Sequence, residues 1–230
     1  MQADQETTTF VVAVDGPSGS GKSSTARGVA DRLRLRYLDT GAMYRAMTWW
    51  MLQHDVPVDD PRAVAAHCDK PEIVTGTDPA APAIHVDGTD VAVQIRTAEV
   101  TEAVSPVSAV PEVRRRLVDL QRRVIAQAAP GIVVEGRDIG TVVCPDAALK
   151  VYLTAEPAAR AARRNAELTG PAVSVAQTQE ALTRRDQIDS GRAAAPLLRA
   201  DDAVLLDTTD LTLHEAIETV VDLAEERRGA

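Results

Sequence analysis

Apolar residues along this chain come in short, separated runs, and the spacing within each run predicts the element it forms. FVVAV, residues 10–14, is an unbroken apolar and β-branched stretch and predicts a strand. Beyond the polar DGPSGSGKSS, residues Ala26, Val29, Ala30 and Leu33 fall at i, i+3, i+4 and i+7, which predicts a helix from about Lys22 to Leu35 with one buried stripe. YLDTGAMYR then turns into a second helix whose Met43, Met47, Trp49 and Trp50 read as core. Between about Pro71 and Pro111 the texture changes to Gly, Pro, Asp and β-branched residues, and VDG-TD reads as a turn between short strands of a small β insertion. A helical, Arg-rich segment from Pro111 to Ala129 follows, with Pro111 suited to a first helical turn. GIVVEGRDIG predicts a strand ending in a polar loop, and ALKVYLT a further strand. Glu156 to Asp189 reads as two Arg-bearing helices joined around LTGPAVS, with Gly170 and Pro171 as punctuation. AVLLDTT is the last strand, and a closing helix carries the stripe Leu213, Ala216, Ile217, Val220, Val221 and Ala224 behind a Thr212/Glu215 capping box.

Strands alternating with helices predict an α/β fold, a parallel sheet covered by helices on both faces. Ligands of such sheets gather at the C-terminal ends of the strands. Gly16 to Ser24, Glu135 to Asp138 and Asp207 to Thr209 each follow a predicted strand, so all three are expected along one edge.

Composition narrows the picture. A chain of 230 residues with 45% hydrophobic content can bury one substantial core, so one folding unit with subdomains is expected. The formal net charge of −9 argues against nucleic-acid polymers, whose sequence-independent binding needs surplus Lys and Arg. MQADQETTTF has no basic flank followed by an apolar stretch, and no later run approaches the roughly 18 apolar residues of a membrane span. A soluble, cytoplasmic protein without membrane contact is therefore expected, and its acidic balance and lack of heptads point to a monomer. Cys68 and Cys144 lack paired spacing, and His54, His67, His85 and His214 are scattered, so no protein-ligated metal is expected.

Gly16-Pro17-Ser18-Gly19-Ser20-Gly21-Lys22-Ser23 matches G-x-x-x-x-G-K-[ST] at every defined position, between a predicted strand and a predicted helix. Glycines let backbone N–H groups converge on phosphate oxygens, and the helix N-terminus adds favourable partial charge. Lys22 would reach the terminal phosphates and the Ser23 hydroxyl would suit Mg²⁺. No N-K-x-D segment for guanine and no D-x-x-G switch after a second strand is present, which points to ATP and to small-molecule phosphoryl transfer. A donor triphosphate and an anionic acceptor repel, so cations must bridge them. Candidates are Arg45, Arg114, Arg137, and the group Arg160, Arg163, Arg164, Arg185 and Arg192. A phosphate acceptor, with its second pKa near 6, needs no general base, which would leave Asp39, Asp138 and Asp189 to bind hydroxyls or a base edge. The loop itself equally serves a thymidylate, adenylate or shikimate kinase, or a regulatory ATPase.

GPSGSGKSS, YLDTGAMYRA, IRTAEVTEAVSPVSAVPEVRRRLVDLQR, VVEGRDIGTVVCPDA and RRDQIDSGRAAAPL, in that order and spread over nearly the whole chain, resemble the bacterial cytidylate kinases. The resemblance implies a P-loop nucleoside monophosphate kinase fold. Its core would take about 8–40, 130–155 and 200–230, its monophosphate-binding domain about 41–129 with the β insertion at about 71–110, and its helical lid about 156–192. It implies that ATP, with Mg²⁺, phosphorylates CMP or dCMP. Gly16, Pro17, Ser18, Gly19, Ser20, Gly21, Lys22, Ser23 and Ser24 would hold ATP, with Lys22, Arg137 and Arg192 acting on the transferred phosphoryl group. Thr40, Tyr44 and Arg45 match the stretch lining the CMP site, with Arg45 on the acceptor phosphate. Ser105, Arg114 and Asp138 match positions that read cytosine, Arg137 grips phosphate, Arg185 and Asp189 reach the ribose, and Arg192 closes on the phosphates. The loop reads GKSS where many relatives read GKGT, so Ser23 and Ser24 both stand as Mg²⁺ partners. Glu135 occupies a place where some relatives carry Asp.

Overall fold

Two rows of side chains alternate along the first strand, and each row belongs to a different core. The computed structural model describes residues 9–167, 174–192 and 196–229. Its chain runs β1 (Phe10–Asp15), α1 (Lys22–Leu33), β2 (Arg36–Asp39), α2 (Thr40–Gln53) and α3 (Pro61–His67). Next come β3 (Ile73–Thr75), β4 (Ile84–Val86), β5 (Thr89–Asp90), α4 (Ala98–Ala109) and α5 (Pro111–Ala126). It returns through β6 (Gly131–Glu135), a π-helical turn (Ile139–Val143) and β7 (Leu149–Thr154), then α6 (Pro157–Glu167), α7 (Val175–Ser190), β8 (Val204–Asp207) and α8 (Leu213–Gly229).

Val12 and Val14 pack with Ala26, Val29 and Ala30 of α1 and Val220 and Ala224 of α8. Val11 and Ala13 face the other way, into a core with Met43 and Met47 of α2, Val104 of α4 and Leu117 of α5. That alternation is the period of two of a strand buried on both faces. The main sheet has the order β2-β6-β1-β7-β8 with every neighbouring pair parallel. Its register sets Val14 and Asp39 opposite Glu135, Asp15 opposite Tyr152, and Thr154 opposite Asp207. The strand ends carrying the three polar stretches therefore share one edge.

The expected capping box at α8 is present: Glu215 N–H donates to Thr212 Oγ1 at 3.2 Å and Thr212 N–H to Glu215 Oε2 at 2.8 Å. The β insertion is a three-stranded antiparallel sheet, β3-β4-β5, turning at Asp87 (φ 49°) and Gly88 (φ 78°), the paired positive φ of a tight hairpin turn. Its strands occupy only Ile73–Asp90 of the stretch that reads as β.

Four details differ from the sequence reading. RYLD is a separate strand, β2, held by parallel pairing of Tyr37 with Val133, a partner no local period reveals. The first helix stops at Leu33 because Arg34 turns left-handed (φ 54°) and returns its N–H to the carbonyls of Ala30 and Asp31. Pro61–His67 forms the short helix α3, and AEVTEAVSPVSA forms α4 despite its valines and the internal Pro106. Burial of Val100, Val104 and Val107 on one face of α4 outweighs β propensity. The junction expected at Gly170 and Pro171, and the polar residues 1–8, lie outside the described residues. Among the described residues no helix is long and apolar enough to cross a membrane.

Gly16 ties β1 to the sheet most tightly. It adopts φ 145°, and a Cβ there would lie 2.0 Å from the carbonyl oxygen of Leu153 in β7. That oxygen belongs to the sheet and cannot retreat as a flexible side chain would. Gly16→Ala is expected to lower unfolding free energy by about 2–4 kcal/mol, read as a fall in denaturant midpoint. An unchanged midpoint would show that the first turn is not constrained by β7.

Candidate active site

Asp15 ends β1, and the loop that follows opens α1 from its N-terminus. Gly21 is the N-cap, left-handed at φ 86° and with no side chain capping the helix. The first amides of α1 are thus left for an external acceptor, at the end where the helix dipole favours anions. Lys22 is buried, and its Nζ donates to the carbonyl of Pro17 at 2.8 Å. Burial, reinforced by Arg137, holds its ammonium pKa below the ordinary lysine value, while Glu135 opposes that shift.

Glu135, at the end of β6, is buried beside this loop. Its carboxylate accepts from Ser23 Oγ at 2.9 Å and from the hydroxyl of Tyr37, and its carbonyl accepts from Thr40 Oγ1 at 2.7 Å. Burial raises its pKa, with Asp39 adding repulsion and Lys22 opposing. Ser23 and Ser24, on the same turn of α1, are both exposed. Among the described residues no group of three or more His, Cys, Asp or Glu could hold a metal by itself. The hydroxyl of Ser23 and the carboxylate of Glu135 are hard oxygen donors, which fits a Mg²⁺ carried in on triphosphate and needing few protein ligands.

Across the edge lies a cleft of about 70 Å³ walled by Thr40 and Tyr44 of α2, Val104 and Ser108 of α4, Arg114 of α5, Gly136 to Asp138, and Arg185, Asp189 and Arg192 at the end of α7. Ligand clefts run to roughly 300 Å³ and above, so this one is narrower than a cleft that holds a ligand. Arg114 and Asp138 form an ion pair with each residue 5% exposed, and Arg114 Nη1 also donates to the Ser108 carbonyl at 3.2 Å. The Arg114 guanidinium lies 5.5 Å from the Tyr44 ring centroid. Burial raises the Asp138 pKa, and Arg114 pulls it back. Arg137 Nε donates to Asp189 Oδ2 at 3.0 Å and its Nη2 to Ser18 Oγ at 2.7 Å. Arg192 Nη2 donates to Ser108 Oγ at 2.8 Å and also pairs with Asp189.

Arg45 is held by Thr101 Oγ1 (2.9 Å) and the Ile95 carbonyl (3.2 Å). Burial, then Arg185 and Arg96, lower its pKa to about 9; burial and Arg137 lower that of Arg185 to about 10. The Nε atoms of Arg185 and Arg192 are buried without a hydrogen-bond partner. Cations that repel one another and buried donors with nothing to bind are what an anionic, polar ligand would satisfy.

Most of the sequence-predicted residues meet at this edge. Ser105 is buried in α4 with its carbonyl accepting from Ser108 Oγ at 3.0 Å, and Ser108, one turn on, lines the cleft. Asp39 caps α2 by accepting from Ala42 N–H at 2.9 Å. Arg163 holds the end of β8, donating to Thr208 Oγ1 at 3.0 Å and its carbonyl at 2.5 Å, while Thr208 Oγ1 donates to Ser20 O at 3.1 Å. Asp15 was not anticipated: its two oxygens accept from Ile139 N–H and Gly140 N–H, each at 2.8 Å, and so fix the turn that carries Arg137 and Asp138. Its place at a strand end before the loop was the available signal.

A model of the family described as cytidylate kinase matches residues 12–226. The chain is 61% identical over 220 residues to a cytidylate kinase of Streptomyces avermitilis, covering 96% of this chain and 94% of that one. It is 62% identical over 219 residues to the corresponding protein of Streptomyces coelicolor, covering 95% and 94%. A crystal structure of an uncharacterized protein from Eubacterium ventriosum superposes with a TM-score of 0.52 at 9% identity, covering 95% of this chain and 99% of that one, a likeness of fold alone.

Burial raises the pKa of Asp15 from 3.8 to about 6, against the two amide hydrogen bonds and Lys22. A folded-state pKa above the unfolded value means the native state holds more protons between the two. The corresponding stability is present below about pH 4 and is lost as pH rises through about 6. The difference in unfolding free energy between the parent and Asp15→Asn should therefore fall by up to about 3 kcal/mol from pH 4 to pH 7. A difference independent of pH in chemical denaturation would refute this.

Proposed function

The chain belongs to the cytidylate kinase family, and from that premise we propose how its residues divide the transfer of the ATP γ-phosphoryl group to CMP or dCMP, giving ADP and CDP or dCDP. The observation that carries the reading is Arg137, which reaches Ser18 of the phosphate loop with one nitrogen and Asp189 of the cleft with another, next to the buried Arg114–Asp138 pair. One guanidinium thus stands between a donor site and an acceptor site, where charge moves in the transfer.

Gly16 to Ser24 cradle the triphosphate, with Lys22 toward its terminal phosphates. Mg²⁺, when bound with ATP, neutralises charge on the β- and γ-phosphates. Ser23, held by Glu135, is the hydroxyl on its side, and Ser24 is not. Arg45, Arg137 and Arg192 hold the acceptor phosphate, and Arg185 and Asp189 the ribose. Thr40 and Tyr44 line the same pocket, and Ser105 supports it through Ser108. A dianionic phosphate attacks without a general base, so Asp138 and Asp189 bind and do not abstract protons. Cytosine offers an amino donor to Asp138 and ring acceptors to Arg114. Uracil would set a carbonyl against the carboxylate. Core, monophosphate-binding and lid regions divide at the boundaries the family resemblance implies. A cytoplasmic monomer agrees with the acidic balance of the chain and with free thiols at Cys68 and Cys144.

A coupled assay across CMP, dCMP, UMP, AMP, dTMP and shikimate should show preference for the cytidine acceptors. Asp138→Ala should raise KM for CMP on the order of 10²-fold while changing KM for ATP little. Preference for another acceptor, or equal effects on both substrates, would count against the base-reading role.

The two serines separate by substitution. Ser23→Ala should lower kcat by roughly tenfold or more and raise the Mg²⁺ concentration needed for half-maximal rate, whereas Ser24→Ala should leave both within about twofold. The reverse ranking would move the Mg²⁺ partner to Ser24.

A further inference from the structure

Ser18 is held from three sides by groups that do not belong to its own loop. Its N–H donates to Asp186 Oδ1 at 3.1 Å, its carbonyl accepts from Arg160 Nη1 at 3.0 Å, and its Oγ accepts from Arg137 Nη2 at 2.7 Å. Arg160 and Asp186 also pair with each other, so α6 and α7 grip the backbone of the phosphate loop as a unit. Ser18 and Arg160 are each 8% exposed, and in such surroundings charge-assisted hydrogen bonds are strong and costly to leave unmade.

The contacts close a ring. Asp186 and Asp189 are i and i+3 on α7, hence on one face. Asp186 takes the Ser18 N–H, and Asp189 takes Arg137, which returns to Ser18 Oγ. Asp189 also holds Arg192, whose Nη2 reaches Ser108 in the wall of the acceptor cleft. A single turn of helix therefore touches the donor loop with one carboxylate and the acceptor cleft with the next. One turn of helical backbone thus joins the carboxylate on Ser18 to the carboxylate that holds Arg137 and Arg192.

We propose that Asp186 is a positioning residue that couples the two substrate sites: through Ser18 and α7 it makes occupation of the phosphate loop set the placement of Arg137, Arg192 and Asp189 in the acceptor cleft. Coupling of this kind is a reciprocal free energy between sites, so each ligand tightens the other by the same factor. The inference rests on the reading of the two sites as donor and acceptor.

Calorimetric titration of CMP, alone and with Mg²⁺ plus an ATP analogue bearing a non-transferable β,γ-imido linkage, tests it. In the parent protein the analogue should tighten CMP about tenfold, within the usual range of site coupling. In Asp186→Asn, which keeps the shape but loses the charge facing Arg160, the factor should drop to about twofold or less while CMP alone binds within about threefold of the parent. A retained factor in the variant, or no tightening in the parent, would overturn the proposal. Loss of CMP affinity without the analogue would also overturn it, since Asp186 would then merely support the cleft. If the parent binds no CMP at all, the acceptor reading itself falls, and the coupling with it. Should Asp186→Asn not fold, Asp186→Glu, which keeps the charge but displaces it by one methylene from the Ser18 N–H, is read in the same titration by the same outcomes.

Discussion

Mutual repulsion among buried and half-buried guanidinium groups is the constraint around which this site is arranged. A chain with net charge −9 gathers Arg45, Arg114, Arg137, Arg185 and Arg192 at one edge of its sheet. Burial is the largest cause of the lowered pKa of Arg45, Arg185 and Arg192, and repulsion deepens it: Arg185 acts on Arg45, Arg137 on Arg185, and Arg114 and Arg137 on Arg192. Packing like charges together in a partly dry space is unfavourable unless acids are interleaved. Asp138 answers Arg114, and Asp189, 2% exposed, answers Arg137 and Arg192 together. Because these partners come from α5, the loop after β6, and α7, neutralising the charge also ties those elements together. The ion pairs contribute little net stability beyond desolvation; their effect is on orientation.

The sheet makes this gathering possible. Parallel pairing sends the C-terminal ends of the strands to one edge, and the register aligns the residues that end them: Asp15, Asp39, Glu135 and Asp207. Each of these carboxylates does a separate structural job. Asp15 fixes the turn of Arg137 and Asp138, Asp39 caps α2, Glu135 receives Ser23 and Tyr37, and Asp207 accepts from the N–H of Thr209 at 2.9 Å. Buried acids beside a phosphate site repel the ligand unless something else neutralises them. Two backbone amides donate to Asp15 and two hydroxyls to Glu135, yet burial outweighs them and the pKa of each acid stays raised.

The parts legible in the sequence are those set by short-range rules. The phosphate loop was readable because its motif, the apolar run before it and the helical period after it occupy about two dozen consecutive residues. The α8 capping box and the Asp87-Gly88 turn were readable for the same reason. RYLD was not, since four residues carry no period and β2 exists through pairing with residues near 133. Helix α4 was hidden by β-branched residues whose burial, not their propensity, decides their state. At the site, Arg137, Asp138 and Asp189 were legible through the family resemblance. Ser108, Asp15 and Asp186 act through tertiary contacts spanning 84, 124 and 168 positions, and nothing local marks Ser108 or Asp186.

On the proposed assignment of Arg114 and Asp138 to the base, selectivity for cytosine would follow from what a buried ion pair requires of its ligand. Arg114 and Asp138 satisfy each other within the cleft, so a ligand that engages only one of them leaves the other with an unmet charge in a low dielectric. Cytosine can address both, giving a hydrogen to the carboxylate while its ring acceptors take hydrogens from the guanidinium. The pair then stays neutral overall and every donor keeps an acceptor. A base with a carbonyl at the amino position would satisfy Arg114 but set lone pair against lone pair at Asp138. Burial raises the Asp138 pKa and Arg114 opposes that rise. Discrimination therefore arises from the penalty on the wrong base, and it grows as the cleft becomes drier.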